Sequence, residues 1–88
     1  MGDIAALLER LRAARKPDNS LDIAVDIALF RPDDEFVSVA PNSAGTKLVY
    51  RAADGRTQTY WAQDHTLNRA SIQTAIAALQ ALKDSSHE

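Results

Sequence analysis

The stretch SLDIAVDIALF, residues 20–30, constrains the fold more than any other part of the chain. At helical spacing, Leu21, Ile23, Ala24, Val25, Ile27, Ala28, Leu29 and Phe30 cover most of the circumference. Only Asp22 and Asp26, four residues apart, form a polar strip. A helix that is apolar on nearly every side needs cover on more than one of them. Segment 20–30 is therefore expected at the centre of the core, or against another subunit. Asn19 or Ser20 is the expected cap, and Pro32 ends the helix. Asp22 and Asp26 are expected to form its solvated edge, because carboxylates are seldom buried unless paired.

The flanking segments supply that cover. Ile4, Leu7, Leu8 and Leu11 predict an amphipathic helix over 3–16, with Asp3 at its start, Arg15 and Lys16 at its end and Pro17 as its stop. FVSVA (36–40), KLVYRA (47–52) and TQTYWA (57–62) have strand composition, and Asp54–Gly55 between the last two predicts a hairpin with a two-residue type I′ turn. In that register Ala52 faces Thr57, Tyr50 faces Thr59 and Leu48 faces Trp61. The opposite face pairs Arg51 with Gln58, Val49 with Tyr60 and Lys47 with Ala62. The first face is the more apolar, which assigns Trp61 to the core. Ile72, Ala75, Ile76, Leu79 and Leu82 predict a last helix over about 69–83, capped by Asn68 or Ser71, before a polar tail at 84–88. The expectation is one α+β domain over 1–88, ordered from about 3 to 83, with element order α-α-β-β-β-α and a three-stranded antiparallel meander packed with helices.

The totals narrow the function classes. The chain has 88 residues, 45% of them hydrophobic and 25% charged, and no apolar run near the roughly 20 residues of a membrane span. Nothing resembles a secretory leader, and Ala6 breaks the myristoylation pattern begun by Met1–Gly2. The absence of cysteine removes disulfide and thiolate chemistry and fits a cytoplasmic setting. Net charge is −2, with bases at Arg10, Arg12, Arg15 and Lys16, acids at Asp18, Asp22, Asp26, Asp33, Asp34 and Glu35, and bases again at Lys47, Arg51, Arg56 and Arg69. Without one long basic face, nucleic-acid binding is disfavoured.

Asp64, His65 and Ser71 are the residue types of a hydrolytic triad, but neighbours on an extended segment point apart and Ser71 lacks a G-x-S-x-G elbow. A strand end followed by a helix cap explains them better, and no catalytic residue is assigned. The acidic set lacks the alternating spacing and turn glycine of a calcium loop, and the three glycines stand far apart, so neither a metal nor a cofactor is expected. The wetter hairpin face offers a patch for a protein partner: Lys47, Val49, Arg51, Gln58 and Tyr60. A helix of the same chain covering Val49 and Tyr60 is the competing reading.

From LLERLRAARKPDNSLDIAVDIAL onward, the chain resembles the phage ABA-sandwich family of small phage and prophage proteins. SLDIAVDIAL is similar to the family's capped second helix. YWAQDHTLNRASIQTAIAALQAL follows its order of aromatic strand, YT step and closing helix, with His65 in place of Tyr and a longer approach from Leu67 to Ala70. The resemblance covers most of residues 4–82. It implies α/β/α layers and a bacterial cytoplasmic setting, and it implies no activity, since the family has no catalytic residues to carry over. The expected role is that of an accessory protein that binds another protein or itself, in the latter case as a homodimer, without catalysis. The alternative is a nucleic-acid module with the α-β-β-β-α order of a double-stranded-RNA-binding domain, although Asn68-Arg69-Ala70 brings only one base to the last helix.

Overall fold

The computed structural model describes residues 4–85, in the order α1 (Ile4–Ala13), α2 (Asn19–Leu29), β1 (Ser38–Pro41), β2 (Leu48–Arg51), β3 (Thr57–Tyr60) and α3 (Arg69–Ser85). The strands form an antiparallel sheet in the order β1-β2-β3, which makes this an α+β chain. None of the described helices is long and apolar enough to cross a membrane.

Helix α1 stops three residues short of its predicted end. Pro17 disfavours helical geometry at Lys16, and the Ala14 N–H closes the last turn on the Leu11 carbonyl at 3.2 Å. Helix α3 runs to Ser85, slightly beyond its predicted end. Asp3 and tail positions 86–88 lie outside the described residues. The cap of α2 is Asp18, not Asn19 or Ser20. Its Oδ1 accepts the Ser20 hydroxyl at 2.8 Å and the N–H groups of Ser20 and Leu21 at 3.0 and 3.2 Å. Asn19 instead donates from Nδ2 to the Thr46 carbonyl at 2.9 Å, which ties α2 to the β1–β2 connection.

Leu7, Leu8 and Leu11 of α1, Leu21 and Val25 of α2, and Ala75 and Leu79 of α3 form one buried cluster. Helix α2 is the central element, as its composition requires. Leu21 and Val25 face the other helices. Ile23, only 5% exposed, lies across the helix from Val25, towards the side on which α2 meets β1. Leu48 is fully buried on the near face of the sheet, and the rings of Phe30, Phe36 and Tyr60 surround Tyr50 at 6.1, 5.2 and 5.7 Å. Burial among these rings, then the charge of Asp26 and the neighbouring Tyr60, raises the pKa of the Tyr50 phenol.

The helices lie on one side of the sheet only. Alternation along the paired strands sends Ser38, Ala40, Val49, Arg51, Thr57 and Thr59 to the far face, where all but half-buried Val49 are exposed. The α/β/α layering implied by the resemblance is thus replaced by sheet, then α2, then α1 and α3 together. Helices α1 and α3 bury their leucines against each other and α2, so no apolar helix is left over. Three hydroxyls and one guanidinium stand among the six strand residues of the far face, which lies open.

The hairpin register differs from the predicted one by a single residue. Arg51 pairs with Thr57, Tyr50 with Gln58, Val49 with Thr59 and Leu48 with Tyr60. The loop is Ala53-Asp54-Gly55, closed by the Ala52 N–H on the Arg56 carbonyl at 2.8 Å and the Gly55 N–H on the Ala52 carbonyl at 3.0 Å. A type I′ turn needs two consecutive residues at positive φ, but here only Gly55 takes one, at +93°. Asp54 stays in the ordinary region, where its Oδ1 accepts the Arg56 N–H at 3.0 Å and its Oδ2 pairs with Arg56 Nε at 2.7 Å. The result is a three-residue loop ending in a left-handed glycine.

Two measurements check these local devices. Gly55→Ala is expected to cost about 1–2 kcal/mol in urea unfolding, all from backbone strain, because a Cβ there meets nothing within 4 Å. The hydrogen bonds from Ser20 and Leu21 hold the Asp18 carboxyl below the usual carboxylate range. Its contribution is therefore present above the unfolded-state value of about 4 and lost as pH falls through the lower folded value. Asp18→Asn keeps the cap without the titration, so its stability should fall less steeply than wild type on acidification.

Candidate functional site

The one-residue slip in register decides which side chains share a face. A strand shifted by one position sends each of its side chains to the other side of the sheet. Of the five expected patch residues, Lys47, Val49 and Arg51 stay together on the open face by alternation along β2. Gln58 and Tyr60 leave them. They stand opposite Tyr50 and Leu48 on the helix-facing side, where the Tyr60 hydroxyl donates to Gln58 Oε1. Tyr60 is still 48% exposed at the sheet margin.

Trp61 takes their place. Expected in the core, it is 66% exposed, and Lys47 Nζ lies 4.7 Å from its ring centroid. That contact puts the indole on the side of Lys47 and Val49. The ammonium braces one face of the ring in a cation–π contact and leaves the other open. The same face carries Val49, Thr57, Thr59 and Arg51, and no strand residue on it is acidic. Arg51 makes only a long contact, Nη1 to the Gly55 carbonyl at 3.5 Å. Arg56 is neutralised by Asp54 in the adjoining turn. The open face is therefore positive, with an exposed aromatic ring at one end.

Asp22 and Asp26 are not a solvated edge. Asp22 is 5% exposed, and its Oδ1 accepts both the Thr66 N–H at 2.8 Å and the Thr66 hydroxyl at 2.9 Å. The Thr66 hydroxyl in turn accepts the Asp18 N–H at 2.8 Å. One turn along α2, Asp26 takes the Gln63 N–H on Oδ2 at 2.9 Å and meets His65 Nε2 with Oδ1 at 2.6 Å. The two carboxylates thus hold segment 63–66, the connection from β3 to α3, along one side of α2. A readable signal for this was present: two acids on a helix that is otherwise apolar cannot be buried with it unless they have partners.

These contacts also dispose of the triad geometry. His65 pairs with Asp26 from α2, not with its neighbour Asp64. The Ser71 hydroxyl and N–H both donate to Asn68 Oδ1, at 3.1 and 2.9 Å, which makes Asn68 the cap of α3 and Ser71 part of that cap. Thr66 is 1% exposed and its hydroxyl is already engaged on both sides. The groups bond to one another and do not converge on a substrate-sized space. Among the described residues, no three His, Cys, Asp or Glu side chains are grouped to hold a metal ion. No protein-family model, curated protein or solved structure matches this chain.

Removing Asp22 strands two buried donors of Thr66. Asp22→Ala should therefore cost about 2–3 kcal/mol in denaturant unfolding. His65→Ala loses one partly buried partner and should cost less. Near-equal midpoints for Asp22→Ala and wild type would show that segment 63–66 is held by something else.

Proposed function

We propose that this chain is a non-catalytic binding module, a small accessory protein of the phage or prophage type that it resembles, working in a bacterial cytoplasm. The observation that carries the reading is Trp61, exposed and braced by Lys47 on an uncovered sheet face. Aromatic side chains anchor interfaces because they bury a large area at low conformational cost, and arginine is enriched beside them. The expected occupant is another protein that brings an apolar anchor and carboxylates. A second copy packed symmetrically on the same face would set Lys47 and Arg51 against themselves, a repulsion that an acidic partner turns into attraction.

One observation favours self-association through a different surface. Ile4, Leu7, Ala24, Ile27 and Ala28 line an apolar groove between α1 and α2, with Arg10 at its rim. Nucleic acid is the weaker alternative, since Arg69 is the only base in the Asn68-Arg69-Ala70 opening of α3 and the chain is acidic overall.

A photocrosslinking residue at Thr59 tests the proposal against the same residue at Gln80, exposed on α3. The expected result is a protein adduct from Thr59 only, lost in Trp61→Ala and in Lys47→Glu. Both substitutions should shift stability by no more than about 0.5 kcal/mol. Equal adducts from both positions, or an adduct that survives Trp61→Ala, would defeat the open-face reading. Sedimentation at micromolar concentration separates the groove reading, which requires a dimer that Ala28→Glu dissociates.

A further inference from the structure

The fold gathers cations that the sequence scatters. Arg12, Arg15 and Lys16 come from the end of α1 and Arg69 opens α3, yet all four line one cleft of about 340 Å³. Its inner wall is apolar, with Ile72 and Ile76 half-buried along α3. No carboxylate lines it. Neither of the two ion pairs among the described residues, Arg56–Asp54 and His65–Asp26, uses any of these cations. Asp18, the next acid along the chain, directs its carboxylate at Ser20 and Leu21.

Helix electrostatics explain only part of this cluster. Cations near the end of α1 offset its negative pole, and Arg15 Nη1 lies 3.4 and 3.5 Å from the carbonyls of Arg12 and Ala14. Arg69 is placed the other way round. It opens α3 at the positive pole of that helix, whose first turn holds no acid to balance it. An arginine there opposes helix stability and reinforces the positive potential made by Arg12, Arg15 and Lys16. Among the described residues the side chains of Arg12, Lys16 and Arg69 have no hydrogen-bond or ion-pair partner. Like charges gathered without counter-ions favour anion binding, and guanidinium groups fork onto paired oxygens.

We propose that the cleft between the end of α1 and the start of α3 binds a small amphipathic anion, with a phosphate or carboxylate head on the arginines and a short hydrocarbon body against Ile72 and Ile76. This site is separate from the open sheet face, and Trp61→Ala should leave it unchanged.

Amide-resolved NMR titration with octyl phosphate, and separately with inorganic phosphate, tests the proposal. Shifts are expected at Lys16, Arg69, Gln73 and Ile76, with octyl phosphate binding at least about tenfold more tightly than inorganic phosphate, from the buried methylenes. Arg69→Glu should weaken octyl phosphate by about tenfold or more, through loss of one charge-assisted contact and reversal of the local charge. A glutamate at this position suits the helix pole, so weaker binding could not be ascribed to unfolding. Equal affinity for the two probes would overturn the proposal. So would shifts spread equally over Arg31, Arg51 and Arg56, or an Arg69→Glu titration identical to wild type.

Discussion

The carboxylates of Asp22 and Asp26 join the two halves of this molecule. The helices α1, α2 and α3 share one leucine-rich cluster, and the sheet meets that bundle chiefly through α2. The chain must return from β3 to α3 past α2, and it does so with the backbone of residues 63–66 hydrogen-bonded to the two aspartates. Ionised carboxylates out of water are costly unless their lone pairs are used. Here each has two donors or a ring partner, so charges that would otherwise oppose burial instead specify one docking position.

A second constraint acts locally and has wider consequences. With Gly55 alone at positive φ, the loop has three residues, and that count sets which side chains of β3 face the helices. Tyr60 then joins Tyr50 and the two phenylalanines, and Trp61 is delivered to the open side above Lys47. One residue fewer in the loop would exchange their roles. Which aromatic ring reaches the open face therefore depends on the residue count of the turn at the other end of the hairpin.

Charge is redistributed in the same way. The acidic run through Asp18, Asp22 and Asp26 is consumed by a helix cap and by the latch on segment 63–66. The bases Arg12, Arg15, Lys16 and Arg69 are left without acidic partners and meet at the junction of α1 and α3. A chain of net charge −2 thereby presents two positive surfaces, one on the open sheet with an aromatic ring at its end and one concave with an apolar wall. Surfaces of such different shape suit different ligands, a protein for the first and a small anion for the second.

Much of this was legible along the chain. The order of elements, a central place as one of two expected for α2, Asn68 as one of two expected caps and the turn at Asp54–Gly55 each follow from residues within a few positions of one another, because helix periodicity, caps and turns are local physics. The cap at Asp18 was missed by one residue, and the turn was placed correctly with the wrong count. Tertiary structure alone decided the register of β3, the exposure of Trp61, the burial of Asp22 and the meeting of Arg69 with the end of α1. Each of those depends on pairing between segments far apart in the chain, where a one-residue difference reverses a face and a buried carboxylate is tolerable only if distant backbone donors arrive to meet it.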